Sequence, residues 1–198
     1  MAAKKLKNIF LSASIPFKER HPKYYNTADI IAIRDSVIAL STVVLPHHRL
    51  IWGGHPSITP IINYVLQKLN LSVQDHVLLY QSEFFKSSFP PDNKQFNNVI
   101  ETDKYDTMQE SIDHMRHRML SEHSFAAAVF IGGMEGIEDE FKLFREYHPK
   151  ALLLPVASTG AGAKLVYESF LTEELYDGRL VTDYGYMNLF KELLIENI

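Results

Sequence analysis

Short apolar runs alternate along the chain with stretches in which apolar residues recur every three or four positions. The runs predict strands over Asn8–Ala13, Leu50–Trp52, Val77–Tyr80, Phe125–Ile131 and Ala151–Val156. The first helical stretch carries Ile30, Ile33, Val37 and Leu40, with Thr27 as its N-cap, and stops near Pro46. A second spans Ile61 to Leu69, with Ser57 as cap and Pro60 in the first turn, where a missing N–H costs nothing. A third runs from Thr107 to His123 on Met108, Ile112, Met115 and Met119. A fourth carries the stripe Ile137, Phe141 and Phe144 and ends near His148-Pro149. A fifth opens on small residues after Val156 and reaches Phe170. Leu189 to Ile195 predicts a last helix, packed on the sheet or on a second subunit. Phe84 to Asn98 is a long aromatic and proline-rich loop, of the kind that serves as a lid or contact surface. Val99-Ile100 is a short strand or part of that loop.

This alternation implies one α/β domain over residues 1–198. Its architecture is a doubly wound, mostly parallel sheet with helices on both faces.

Small residues follow several strands, and a doubly wound fold brings such turns to one edge, where parallel sheets bind ligands. The central turn is Ile131-Gly132-Gly133-Met134-Glu135-Gly136, between a strand and a helix. Glycines allow close backbone approach, and the amides of a helix N-terminus hold anions. Glu138, Asp139 and Glu140 complement the dipole of that helix, or one of them points at a ligand. Gly53-Gly54-His55, with Ser57, is a second such turn, and the competing reading is a tight turn alone. Ser158-Thr159-Gly160 lies in a third, which lacks the glycine spacing and the Lys-Ser/Thr pair of a phosphate loop. Ser12-Ala13-Ser14 ends the first strand and Gln81 the third.

Composition narrows the field. The chain has 198 residues, 46% of them apolar, and a net charge of −4, so a globular core is expected and a nucleic-acid footprint is not. Cysteine is absent, which removes disulfides, thiolate metal sites and a cysteine nucleophile. The basic start Met1–Lys7 precedes an apolar run too short for a signal peptide, and no stretch approaches the roughly 20 apolar residues of a membrane span. A cytoplasmic protein without membrane contact is expected.

Three segments together resemble a known superfamily: Ile9-Phe10-Leu11-Ser12-Ala13-Ser14-Ile15-Pro16, Ile51-Trp52-Gly53-Gly54-His55-Pro56 and Phe130-Ile131-Gly132-Gly133-Met134-Glu135-Gly136. The chain is similar to SLOG domains, and within them to SLOG cluster 3. These are Rossmann-like domains related to the DNA-processing protein DprA and the LOG phosphoribohydrolases. The resemblance implies binding of a nucleotide or nucleotide-derived ligand by a homo-oligomer. Some SLOG domains act in antiphage systems, sensing a cyclic ADP-ribose-type signal made by a TIR enzyme. The resemblance thus implies a sensor or signalling component, paired with a separate effector or TIR-type partner.

LOG enzymes instead cleave nucleoside monophosphates to base and ribose phosphate. On their pattern Glu140 takes the place of the catalytic glutamate and Arg118 that of the upstream arginine. Ile131 stands where the pattern has proline, Ile137 stands where it has threonine, and one residue is inserted. Cleavage requires a carboxylate that stabilises a ribosyl cation or activates water, plus a cationic anchor for phosphate. The competing role for Glu140 is dipole complementation, and for Arg118 a solvated helix position.

Expected ligand contacts are therefore Ser12, Ala13, Ser14, Gly53, Gly54, His55, Ser57, Gln81, Arg118, Gly132, Gly133, Met134, Glu135, Gly136, Glu140, Ser158, Thr159 and Gly160. Glu110, His114 and His117 share a helix face, but solvated side chains are the commoner use of such a face. Neither a metal nor a cofactor is expected. No hydrolase elbow surrounds Ser12 or Ser57, so a serine nucleophile is set aside.

Overall fold

The computed structural model describes residues 6–19, 21–69 and 74–198. Most of the basic start (Met1–Lys5), and Arg20, lie outside the described residues. The order is β1 (Asn8–Ser14), α1 (Pro22–Tyr25), α2 (Ile30–Val44), β2 (Arg49–Gly53), α3 (Thr59–Leu69), β3 (Val77–Ser82) and β4 (Val99–Thr102). Then come α4 (Met108–Ser121), β5 (Phe125–Gly132), α5 (Glu135–Tyr147), β6 (Leu152–Val156), α6 (Ala161–Phe170), α7 (Arg179–Thr182) and α8 (Tyr186–Leu193).

The six strands form one sheet in the order β4-β3-β2-β1-β5-β6, and every pairing is parallel. The fold is α/β and Rossmann-like. The chain lays down β1 to β4 in one direction and then crosses to the far side of β1 for β5. That reversal makes the carboxyl ends of β1 and β5 the switch point of the sheet, where open α/β folds bind ligands. Register brings Ser14 beside Gly132 and Gly53 beside Tyr80, so the small-residue turns share one edge.

The period of two along each strand divides the core between two faces. Ile9 and Leu11 of β1, with Val129 and Ile131 of β5, pack under α2, α3 and α8. Phe10 and Phe130 point the other way, against Phe141 and Phe144 of α5. Phe10 stacks on Phe144 at 5.6 Å and meets Phe130 edge-on at 6.2 Å. Helices therefore cover both faces.

Local chemistry sets the boundaries, and some differ from expectation. Asp29, not Thr27, caps α2: its carboxylate accepts from the Ala32 amide at 2.9 Å. Thr27 instead accepts from the Ala161 amide at 3.0 Å. Ser57 does not cap α3, because its hydroxyl is taken by His55 and by the Ile15 amide. Thr107 and Glu110 form a reciprocal capping box on α4. The long loop holds two 3-10 turns, Glu83–Ser88 and Pro91–Gln95, and β4 is a true strand at the sheet edge. The last helix packs within the subunit, with Leu189, Phe190 and Leu193 buried beside α2. α1 and α7 have four residues each, too few to leave a periodic signal. Among the described residues, no helix is long and apolar enough to cross a membrane.

Candidate functional site

A cavity of about 330 Å³ lies at the carboxyl ends of β1, β2 and β3, closed by α4 and the start of α5. The strand ends contribute Ser12, Ala13, Ser14, Gly53, Gly54, His55 and Gln81. α5 and the residue before it contribute Met134, Glu135, Gly136, Asp139 and Glu140. The facing wall is apolar: Met108, Ile112 and Met115 from α4, and Phe85, Phe89 and Pro90 from the segment after β3.

The polar floor is built on rigid elements. Glu140 accepts from Arg116 Nε at 3.1 Å and from the Ser12 hydroxyl. Arg116 Nη1 also lies 3.6 Å from Asp113 and 3.6 Å from Asp139. Ser12 and Arg116 are 2% and 8% exposed, so the Ser12-Glu140-Arg116 contact is largely shielded from bulk water, while Asp113 and Asp139 reach solvent. Gly136 makes room for it, since a Cβ there would sit 2.6 Å from Arg116 Nη2. Gln81 is 4% exposed, and its Nε2 is buried without a hydrogen-bond partner. Its amide lies over Gly54, where a Cβ would collide with it. The glycine at 54 is thus required by the glutamine.

Several expected contacts lie elsewhere. Gly132 and Gly133 have φ of +58° and +78°, a left-handed turn that L side chains rarely adopt. The Gly132 amide donates to Thr159 Oγ1 at 2.9 Å, and the Gly133 amide to the Ser14 carbonyl at 2.7 Å. These donors are consumed inside the protein, and neither glycine lines the cavity. Ser158, Thr159 and Gly160 stand behind the turn and also line none of it. Ser158 lies 3.1 Å from the Tyr186 hydroxyl, and the Gly162 amide donates to Gly133 O at 3.0 Å, so the third small-residue loop buttresses the central turn. Ser57 sits one shell back, tying His55 (Nδ1 at 2.8 Å) to the Ile15 amide.

Arg118 is two residues past the arginine of the cavity, a rotation of about 200° along an α-helix. It pairs outward with Glu122 at 2.7 Å. The guanidinium that lines the cavity is that of Arg116, which the sequence did not single out. The signal was its spacing of four from Ile112, on the apolar stripe of the same helix. Asp139, Phe85 and Phe89 also line the cavity; the sequence offered Asp139 only as one of three acidic residues and the phenylalanines only as part of the long loop.

The remaining candidates are engaged separately. Glu110 accepts from Thr107, His114 lies 3.4 Å from the Tyr105 hydroxyl, and His117 lies 3.0 Å from that of Tyr147. Among the described residues, no three His, Cys, Asp or Glu side chains are grouped to hold a metal. At the far end of α4, Tyr80 bonds Glu122 at 2.9 Å and His123 at 2.8 Å. Burial raises the Tyr80 phenol above its usual range and lowers the His123 imidazole. The Arg118 hydrogen bond lowers Glu122.

Chemically, the floor presents a carboxylate fixed by two partners beneath an apolar wall. It can accept hydrogen bonds from hydroxyls or face a developing positive charge in a partly water-excluded space.

A model of the SLOG cluster3 family matches residues 23–194. No curated protein matches the chain. The crystal structure of TM1055, a target of the Northeast Structural Genomics Consortium, is similar in fold, with a TM-score of 0.58. It is 12% identical, over 89% of this chain and 89% of that one, so the likeness concerns the fold alone.

Proposed function

The chain belongs to the SLOG cluster3 family, and we propose that its cavity binds a nucleotide-derived ligand, making it a sensor or signalling component. The ligand is of the ADP-ribose or cyclic ADP-ribose class, or another nucleotide signal. The observation that carries this reading is the cavity at the carboxyl edge of the sheet, with Gln81 Nε2 unpartnered in its wall and Glu140 held on its floor. Its volume of about 330 Å³ lies within the usual range for small-molecule sites. An apolar wall opposite a polar floor suits a base joined to a ribose.

A role in bacterial defence or stress response is carried by the SLOG resemblance alone. A sensor responds only through differential affinity for two states. The segment that supplies Phe85, Phe89 and Pro90 is the part of the wall not built on the sheet or α4, so it is the element whose ordering a ligand would change. The output is a changed homo-oligomeric assembly or contact with a separate effector, and a TIR-type enzyme supplies the ligand. Calorimetric titration with AMP, NAD, ADP-ribose, cyclic ADP-ribose and cyclic dinucleotides, followed by light scattering, tests this. Binding by one of them, weakened about tenfold or more in Gln81→Leu, is expected. Absence of binding across the panel rejects the reading.

A second reading is favoured by one contact set. Glu140 is fixed by Ser12 and Arg116 and faces the cavity, as a LOG-like N-glycosidase would require. Glu140→Gln discriminates the two: a glycosidase loses release of free base while ligand binding persists. A parent protein that releases no base from any bound nucleotide is not one.

A further inference from the structure

We infer that the outward stripe of α2 is the two-fold contact of a homodimer, in which two copies of the helix cross antiparallel about the Arg34-Asp35 step. This rests on the assembly named in the proposed function, not on a ligand in the cavity, and says which surface forms it.

The composition of α2 carries the inference. The helix holds two charges, on the adjacent Arg34 and Asp35, and is otherwise apolar or small. A helix that is apolar all round is a buried one. Three sides of α2 are covered, by the sheet beneath it and by α3 and α8 on its flanks. The fourth side is the stripe Ile31, Arg34, Asp35 and Ile38, at helical spacing. Ile31 is 65% exposed there, and both charged side chains reach solvent. On the other face of the sheet α5 is finished for water, with Lys142, Arg145 and Glu146 turned outward.

The order of the stripe selects the partner. Ile31 and Ile38 lie equally far on either side of the Arg34-Asp35 step. A second copy turned about a two-fold axis at that step sets Ile31 of one chain against Ile38 of the other, and Arg34 against Asp35. Each contact occurs twice, as an isologous interface requires. Apolar residues meet apolar residues, and each charge meets its opposite. One helix crossing falls short of the roughly 800 Å² that each partner of a stable dimer buries. Tyr64 of α3 and Met187 of α8, 52% and 40% exposed, extend the apolar surface on its two sides. On the inner side of the same helix, Ile33 closes over Gly132, where a Cβ would collide with it. The contact therefore lies about one helix diameter, ~10 Å, from the turn behind the cavity.

Sedimentation velocity and light scattering read the mass. The parent, without ligand, is expected at twice the mass of one chain at micromolar concentration. Arg34→Asp leaves only carboxylates at the crossing and Asp35→Arg only guanidiniums, so each should weaken dimerisation at least about tenfold. Ile31→Glu should dissociate the dimer as well. All three positions reach solvent, so circular dichroism should show each variant folded. The two-fold register makes a sharper demand. An equimolar mixture of Arg34→Asp and Asp35→Arg chains should pair as a mixed dimer, and one chain carrying both changes should dimerise as the parent does. A monomeric parent, a dimer that every variant leaves intact, or single variants that neither the mixture nor the double change rescues would each overturn the inference. Nucleotide titration reads the cavity separately: loss of the dimer leaves the ligand reading standing, and a cavity that binds nothing leaves the dimer standing.

Discussion

At the scale of single residues, the site depends on glycines that make room and on one arginine that fills it. Arg116→Met leaves the part-buried Glu140 without its cation and should cost about 2 kcal/mol in chemical unfolding. Gly136→Ala should behave differently. Its Cβ meets only the tip of a flexible side chain, Arg116 Nη2 at 2.6 Å, so the guanidinium swings aside. Stability should fall by only about 1 kcal/mol, while ligand affinity drops with the disturbed floor. Equal losses of stability in the two variants would argue that the cluster is structural only. Gln81 and the strand-end residues were legible as candidates because they follow apolar runs, while Glu140 was singled out from its two acidic neighbours by the LOG resemblance. It pointed to Arg118, whereas Arg116 lines the cavity: the two lie two residues apart, and only the direction of their side chains separates them.

At the scale of elements, the third small-residue loop shows why a shared appearance is not a shared role. It resembles the other turns in composition, but its polar groups point into the protein. Gly160 has φ of +70°, and a Cβ there would overlap the Thr27 carbonyl. Gly160→Ala should cost about 3 kcal/mol or more in thermal unfolding. Gly178→Ala, which meets nothing within 4 Å, should be neutral or slightly stabilising. The end of α4 gives a pH prediction. Burial lowers the His123 imidazole below its ordinary value of 6.5, with nearby Glu122 opposing the shift. The unfolded chain therefore takes up the proton first, so stability is full above about pH 6.5 and falls as the pH drops through the lowered folded value. Between pH 7.5 and 5.5, the parent should lose more in Tm than His123→Gln. Parallel curves for the two proteins would remove His123 from the explanation. Helices with a continuous apolar stripe, such as α4 and α5, were legible from sequence. The caps of α2 and α3 were not, because Thr27 and Ser57 are drawn off by distant backbone amides.

At the scale of the whole molecule, the alternating pattern was enough to imply a parallel sheet with two covered faces. The order β4-β3-β2-β1-β5-β6 was not written in it, since periodicity reports which face a residue occupies and not which strand lies beside it. That order puts the strand ends and α5 around one cavity, and it leaves Gly132, Gly133 and the Ser158–Gly160 loop as the frame behind it. The central claim is that this cavity is a nucleotide-ligand site. Thermal unfolding of the parent and of Gln81→Leu, across nucleosides, nucleotides, ADP-ribose and its cyclic forms, tests it most directly. A ligand at about 100 times its Kd stabilises by about 2.7 kcal/mol, roughly 5–10 °C in Tm for a chain of this size. One ligand should produce such a shift in the parent and a much smaller one in Gln81→Leu. No shift with any of them, or an equal shift in the variant, would contradict the assignment of the cavity.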